Sequence, residues 1–247
     1  MSQATQAKSK PIFFNSEMIQ SIIDGKKTTA RIKVKSLITD DDAENIKICY
    51  DWQICDNYEV WCLVAGDMGY EPLSFKCPYG QIGDELWIKE SFTLNPSPEA
   101  SFGDAIRGKD MTVTYSNGDT KRFKAGDITF QGPNGVIRVS CAPLEHEFDV
   151  DVWGIKRSPI CMPKEIARIS LEIKSIHIER LNDISEEKAI KEGVKRELNG
   201  FKDYTNPNIT KEKAKDSFKT FWEYTYGQDS WDENPFVWVI EFVPITS

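Results

Sequence analysis

The sequence lacks any apolar run long enough to cross a bilayer. A spanning helix needs about 20 consecutive apolar residues, and no stretch of this chain approaches that length. The first ten residues are polar and lack the apolar core of a secretion signal. We therefore predict a cytoplasmic protein without membrane association, in which the six cysteines are reduced.

Metal-binding patterns are also scarce. The chain has only two histidines, and no two cysteines have the Cys-x-x-Cys spacing of a zinc knuckle. Four cysteines nevertheless lie close together in the sequence, at Cys49, Cys55, Cys62 and Cys77. We predict no metal and no cofactor, although spacing alone leaves open whether these four thiols bind zinc.

An excess of positive charge is missing as well, because the formal net charge is −8. Non-specific affinity for nucleic acid comes from lysines and arginines that neutralise phosphates, so we do not expect a protein that coats long DNA or RNA. A local basic cluster is present, however, at Lys26, Lys27, Arg31, Lys33 and Lys35. It indicates either a solvated basic turn or a small anion site.

The composition favours a packed protein. Hydrophobic residues make up 40 % of the 247 residues, and the chain contains seven Trp and thirteen Phe. These proportions exceed those of disordered segments. We predict a disordered N-terminus at 1–10 and a single domain at 11–247, with insertions at about 36–76 and 93–164.

Helix and strand signals are clear in the first half of the chain. Asn15 or Ser16 can cap a short helix that Gly25 ends. Alternating apolar residues predict a strand at 46–54 that pairs with a second strand near 59–64. Further on, Ser-Asn-Gly-Asp at 116–119 separates two β-rich segments, which indicates a hairpin.

The second half shows a bulge, two helices and a buried strand. The apolar alternation changes parity near Lys174 or Ser175, as a β-bulge would cause. Asp183 or Ser185 can cap a helix that runs to Glu192. A second helix is predicted at about 211–226, and a central buried strand at 236–243.

Four motifs occur in one order along the chain, at 22–28, 79–87, 184–193 and 238–242. Together they resemble the ASCH domain, and Met162-Pro163 and the Asn234-Pro235-x-x-Trp238 ending are similar to ASCH-domain proteins of bacteriophages and prophages. The resemblance implies an α+β fold, a PUA-like mixed β-barrel with flanking helices, here with large loop and hairpin insertions.

The resemblance also implies a function. ASCH domains are expected to bind RNA or nucleotide-derived, modified-base ligands in a cleft of the barrel. The family lysine and glutamate fall on Lys27 and Glu192. Four further residues are candidate ligand contacts, because cations can hold an anion and aromatic rings can stack on a base: Lys26, Arg31, Tyr79 and Trp87.

An alternative is an amidohydrolase. One branch of the family hydrolyses the acetamide of N4-acetylcytidine with a lysine, a glutamate and a threonine, and that threonine falls on Ala30. Alanine has no hydroxyl, so Thr28 or Thr29 would have to replace it as the catalytic group. Adjacent residues of an extended segment face opposite ways, which makes such a replacement demanding.

A third alternative is a phage factor that binds a host protein. In that case the insertion at 93–164 would form the contact surface. The ordinary structural alternatives are a solvated loop lysine for Lys27, a surface carboxylate for Glu192, and core aromatics for Tyr79 and Trp87.

Overall fold

The computed structural model describes residues 7–34, 52–54, 59–66, 69–96, 110–124, 128–132, 135–139, 154 and 156–245. Three α-helices lie within these ranges: α1 (Ser16–Ile23), α2 (Glu186–Lys191) and α3 (Ala214–Tyr226). The described part of the chain is thus a mixed α+β structure that is rich in strands. None of its helices is long and apolar enough to cross a membrane.

Seventeen strands are assigned within the described ranges, most of them short. They are β1 (Ser9–Phe13), β2 (Thr29–Lys33), β3 (Trp52–Ile54), β4 (Glu59–Gly66), β5 (Gly69–Lys76), β6 (Glu85–Lys89), β7 (Phe92–Pro96), β8 (Asp110–Tyr115), β9 (Thr120–Lys124), β10 (Ile128–Gly132), β11 (Gly135–Val139), β12 (Lys156–Arg157), β13 (Ser170–Arg180), β14 (Arg196–Glu197), β15 (Gly200–Lys202), β16 (Thr210–Lys211) and β17 (Phe236–Pro244).

The chain divides into two compact units. The first comprises Met1–Lys10, Ser21–Leu86 and Leu171–Ser247, and the second comprises Pro11–Gln20 and Trp87–Ser170. The whole insertion predicted at 93–164 falls in the second unit. Residues 1–6 of the predicted disordered segment lie outside the described residues, and β1 begins at Ser9.

The first unit is organised around β13 and β17. They belong to a sheet of strand order β1-β6-β13-β17-β2, in which β17 pairs antiparallel with both β13 and β2. Val237–Ile240 are all buried, so both faces of β17 are covered, which explains why the strand is almost continuously apolar. The predicted central strand is confirmed, and so is the bulge, because the β13 register shifts between Ile173 and Ser175.

The bulge determines which β13 side chains point away from the core. Beyond it, Ile176 is buried and Ile178 continues the same side of the strand. Successive residues of a strand point to opposite faces, so His177 and Glu179 point to the other face. On β2 the same alternation separates Thr29 and Arg31 from Ala30, whose cross-strand partner is Ile240.

Two smaller three-stranded sheets also belong to the first unit. One has the order β3-β4-β5 and confirms the pairing predicted between 52–54 and β4, although 46–51 lies outside the described residues. The other has the order β14-β15-β16. Helix α3 begins at Ala214 rather than near 211, because Lys211 is the last residue of β16.

The second unit contains a sheet of order β12-β7-β8-β9 and the pair β10-β11. The hairpin predicted around Ser-Asn-Gly-Asp is confirmed by the β8–β9 pairing. One apolar cluster supports the larger sheet and consists of Phe92, Leu94, Met111, Val113, Tyr115, Met162 and Ile166. This unit therefore has its own apolar core.

Candidate functional site

Lys27 lies in the connection between α1 and β2. Helix α1 is capped by Asn15, whose side chain accepts a hydrogen bond from the Met18 N–H (2.8 Å). Gly25 then adopts a φ of +70°, which favours glycine at the end of a helix. The chain turns inward here, and the Lys27 N–H donates to the Ser21 carbonyl at 3.0 Å. As a result, Lys27 is only 1 % exposed.

The carboxylate of Glu192 meets this segment in the interior of the first unit. Lys27 Nζ lies 2.9 Å from Glu192 Oε2 and also donates to the Glu192 carbonyl at 2.8 Å. Arg31 Nη1 donates to Glu192 Oε1 at 2.7 Å, and Thr29 Oγ1 donates to the same oxygen at 3.3 Å. We call these four buried residues the Glu192 cluster. Lys27 and Glu192, paired by the resemblance, are thus in direct contact.

Arg31 connects this cluster to a second carboxylate. Its Nε and Nη2 donate to Glu179 Oε1 at 3.0 and 2.6 Å, while Lys188 Nζ donates to Glu179 Oε2 at 2.6 Å. Burial alone would raise the pKa of Glu179, but hydrogen bonds from His177, Lys188 and Arg31 outweigh it and lower that pKa well below its ordinary value. Glu179 is therefore an ionised group that orients Arg31.

Lys27 is the electrostatically unusual member of the cluster. Burial lowers its pKa, because an ammonium loses its hydration, while Glu192 counteracts the shift and Arg31 adds to it. In the Glu192 cluster, two cations form ion pairs with one carboxylate. Its own charge balance is positive, and the half-buried Glu179 beside it brings the sum to neutral.

Gly193 allows the two halves of the cluster to approach. Its φ is +82°, and a Cβ at this position would lie 2.7 Å from Lys27 Cβ and 3.0 Å from Ser21 Cβ. Ser21 Oγ donates to the Gly193 carbonyl at 3.1 Å. Any side chain at 193 would push Lys27 away from Glu192. Gly193, which follows the predicted end of the helix at Glu192, is therefore a point of close contact between two segments.

The structure separates the two candidate threonines. Thr28 is half-buried and its side chain makes no hydrogen bond to a described residue, although its backbone N–H donates to the Lys191 carbonyl at 2.9 Å. Thr29 instead points to Glu192. Ala30, where the family has its threonine, is buried on the opposite face of β2. The hydroxyl next to the carboxylate is that of Thr29.

Only one of the four predicted ligand contacts belongs to the Glu192 cluster. Arg31 belongs to the cluster, but Lys26 is exposed and pairs with Asp24 at 2.8 Å. Tyr79 is half-buried in the first unit. Trp87 belongs to the second unit and is buried, with the Lys89 ammonium 5.2 Å from its ring centroid, so the ring offers little surface to a base.

Tyr226, at the end of α3, was not apparent from the sequence. Burial raises the pKa of its phenol, and the neighbouring Tyr79 and Glu192 raise it further. Its ring packs on Trp222 with centroids 4.3 Å apart. Tyr226 is therefore within electrostatic range of both Tyr79 and Glu192. The sequence feature that could have identified Tyr226 is an aromatic residue directly before Gly227, which ends the helix.

No group of three or more His, Cys, Asp or Glu side chains within the described ranges is placed to hold a metal ion. Cys49 and Cys55 of the cysteine group lie outside those ranges, while Cys77 is buried and free. Comparison with known proteins found no matching family model, no matching curated sequence and no matching solved structure.

Proposed function

We propose that this chain is an ASCH-type protein with a PUA-like barrel, and that it binds RNA or a nucleotide-derived, modified-base ligand at the Glu192 cluster. The observation that carries the proposal is the contact of Lys27 and Arg31 with one buried carboxylate. Burying charges costs several kcal/mol per ion, and apolar replacements often stabilise a protein. A buried lysine whose pKa is lowered is typical of functional sites.

The arrangement of donors and acceptors suits a nucleobase. Glu192 can accept a hydrogen bond from an amino or imino group, whereas Lys27 and Arg31 can donate to a carbonyl or phosphate oxygen. Bases carry such donors and acceptors side by side on one edge. Tyr226, which is 41 % exposed and within electrostatic range of Glu192, offers an aromatic ring, and stacking on such a ring contributes about 1–3 kcal/mol per base.

The fold proposal rests on β13. It has 11 residues and a bulge in its middle, and bulges bend strands at the rims and corners of barrels. It also contributes Glu179 to the site, and Glu192 directly follows α2, the helix after it. A bulged strand within a sheet, followed by a short helix, supports the proposal of a PUA-like barrel.

Titration with a defined panel tests the binding proposal. Cytidine, N4-acetylcytidine and short single-stranded RNAs would be added to the purified protein, followed by calorimetry. We expect Lys27→Met and Glu192→Gln to weaken binding of the preferred member at least about tenfold, equivalent to one lost charged hydrogen bond. Lys174→Met, at an exposed lysine of β13, is the control. Unchanged affinity in a folded Lys27→Met protein would exclude this site.

A second candidate is amide hydrolysis, and the position of Thr29 favours it. Thr29 Oγ1 lies 3.3 Å from Glu192 Oε1, close to the reach that a general base needs. In this reaction Oγ attacks the acetamide carbonyl carbon and Glu192 takes its proton. The C–N bond breaks, the exocyclic nitrogen receives that proton, and water then releases acetate from the threonine ester.

Chromatography of N4-acetylcytidine incubations tests the second candidate. We expect cytidine from the unmodified protein and from Thr28→Ala, and at least about a hundredfold less from Thr29→Val, because a missing nucleophile removes most of the rate. Equal product from Thr29→Val and the unmodified protein would rule out Thr29 as the nucleophile. Absence of cytidine throughout would leave binding without turnover.

A further inference from the structure

Glu241 is an unusual residue for its strand. β17 lies between β13 and β2 in the sheet, and its neighbouring residues Val237–Ile240 and Phe242 are apolar and buried. Glutamate is depleted in strands, and in folded proteins its side chain is mostly exposed. Glu241 is instead half-buried on an inner strand. A carboxylate in this position calls for a functional explanation.

The strand register places Glu241 next to the Glu192 cluster. Glu241 lies directly opposite Thr29 of β2 on one side and directly opposite Ser175 of β13 on the other. Directly opposite residues of an antiparallel pair project from the same face, with Cβ atoms about 5 Å apart. The Thr29 hydroxyl contacts Glu192 at 3.3 Å. Glu241 therefore stands on the face of the sheet that carries the cluster, one strand away from it.

This face of β17 opens to solvent at Glu241. Val237, Val239 and Val243 alternate with Glu241, so they share its face. Val237 and Val239 are 0 and 1 % exposed. Glu241 is half-buried, and Val243, the next residue on this face, is 40 % exposed. A ligand that reaches the buried cluster along this face therefore passes Glu241.

The Glu241 carboxylate is available to such a ligand. Within the described ranges it forms no ion pair and accepts no hydrogen bond, and its two cross-strand neighbours are uncharged hydroxyl residues. Arg31, which follows Thr29 by two residues, already donates to Glu192 and Glu179. Glu192 accepts hydrogen bonds from three side chains, out of about four that a carboxylate can accept. Glu241 therefore has more acceptor capacity left than Glu192.

A carboxylate in this position distinguishes an amino group from a carbonyl group. An ionised carboxylate only accepts hydrogen bonds, so it binds an amino N–H and repels a carbonyl oxygen. Glutamate and aspartate side chains recognise the amino group of a base in this way in protein–DNA complexes.

We propose that Glu241 accepts a hydrogen bond from the exocyclic amino group of the base that occupies the Glu192 cluster. It thereby selects bases with an amino group over bases that carry a carbonyl at the same position. This inference rests on the proposed function and extends it, because it names the class of base and a residue that determines specificity.

Two pairs of nucleosides that differ in one group test this inference. Cytidine and adenosine carry an amino group where uridine and inosine, respectively, carry a carbonyl. All four would be titrated into the purified protein and followed by calorimetry at one salt concentration. In the pair that binds more tightly, we expect the amino member to bind at least about tenfold better, the effect of one hydrogen bond to a charged group.

Glu241→Gln should reduce this preference to within about threefold, because a side-chain amide can turn to donate or to accept. Glu241→Thr introduces an uncharged residue that favours strands and repeats the test if the glutamine disturbs folding. Glu172→Gln is the matched control. Glu172 lies opposite Val243, one step further toward the open end of the same face, and pairs with Lys174 at 2.6 Å. We expect this variant to keep the full preference.

The ratio of the two affinities separates recognition from a structural role. Loss of affinity for both members of a pair by the same factor in the Glu241 variants would mean that Glu241 only supports the fold, and would overturn the inference. Equal binding of both members by the unmodified protein would also overturn it, as would a preference that survives in Glu241→Gln and Glu241→Thr.

The proposed function is tested separately by Lys27→Met. If Lys27→Met loses binding but Glu241→Gln keeps the preference, only the inference about Glu241 is wrong. If Lys27→Met binds normally while Glu241→Gln loses the preference, the base lies at Glu241 without contacting the Glu192 cluster. That result would exclude the proposed site and would also overturn the linkage proposed here.

Discussion

Each unit of the molecule buries a carboxylate that an arginine holds, yet the two arrangements differ. In the second unit Glu90 accepts hydrogen bonds from Arg168 Nε at 2.7 Å and from Ser116 Oγ at 2.8 Å. Arg168 also donates hydrogen bonds to the side chains of Asn117 and Asp119, which lie in the β8–β9 turn. Its guanidinium also stacks on Tyr115, 4.3 Å from the ring centroid. This network fastens one hairpin.

The Glu192 cluster joins distant segments and contains side chains that could take part in a reaction. Its members come from the connection after α1, from β2 and from the end of α2, and they include a buried lysine with a lowered pKa and a threonine hydroxyl. The comparison shows that burial of an ion pair does not by itself indicate function. A fully buried lysine with a lowered pKa in contact with the carboxylate is what distinguishes the Glu192 cluster.

Removal of the central carboxylate should have the largest effect. Glu192→Ala leaves Lys27 and Arg31 buried with one partner fewer, and breaking a buried pair costs about 3–5 kcal/mol of unfolding free energy. Urea denaturation followed by circular dichroism measures the change. Glu172→Ala, on the exposed side of β13, is the control and should change stability by less than about 0.5 kcal/mol. A similar small change for Glu192→Ala would show that the cluster is solvated.

The corresponding change in the second unit should separate stability from function. Arg168→Ala leaves Glu90 buried without its arginine, and we expect a loss of about 3 kcal/mol in unfolding free energy. Ligand affinity at the Glu192 cluster should stay unchanged. Denaturation and calorimetry on the same protein samples test both parts. A comparable loss of ligand affinity would contradict the distinction between the two networks.

Gly193→Ala should have an intermediate effect, and it tests the close contact with Lys27. Overpacking of this kind costs about 1–3 kcal/mol, and displacement of Lys27 should weaken ligand binding. Gly83→Ala is a matched control, because Gly83 has a φ of +85° but nothing within 4 Å of its Cβ position. A larger loss of stability and affinity at 193 than at 83 is expected, as measured by thermal unfolding and calorimetry. Equal losses in the two variants would mean that backbone strain accounts for the whole effect of Gly193→Ala.

The smallest effect should be the acid dependence contributed by Glu179. Its folded pKa is lowered from an ordinary value of 4.5, so its stabilising contribution is complete above that pH and is lost as the pH falls toward the folded pKa. Glu179→Gln should flatten the fall in unfolding free energy below about pH 4.5 by up to about 1.4 kcal/mol per pH unit. Urea denaturation across a pH series measures this, with Glu172→Gln as control. An unchanged slope would mean that Glu179 is not paired.

Local signals predicted several elements correctly. The parity change near Lys174 or Ser175 predicted the bulge, and the apolar run at 236–243 predicted a central strand. Asp183 or Ser185 predicted the helix start, and Ser185 is the residue that caps it. Each of these depends on the intrinsic preferences of a few adjacent residues, which is why a single sequence reveals them. The contribution of Glu179 depends on the face that the bulge selects and on Lys188 and Arg31, which come from other elements, and no local pattern reports that.

The basic segment at 26–31 illustrates the same division. The family resemblance, and not the residue types of this segment, paired Lys27 with Glu192 in one hypothesis. Tertiary structure alone decided that Lys26 points to solvent, that Thr29 rather than Thr28 faces the carboxylate, and that Ala30 packs into the core. The physical reason is that strand pairing with β17 sets the alternation of β2, and β17 lies more than 200 residues away in the chain.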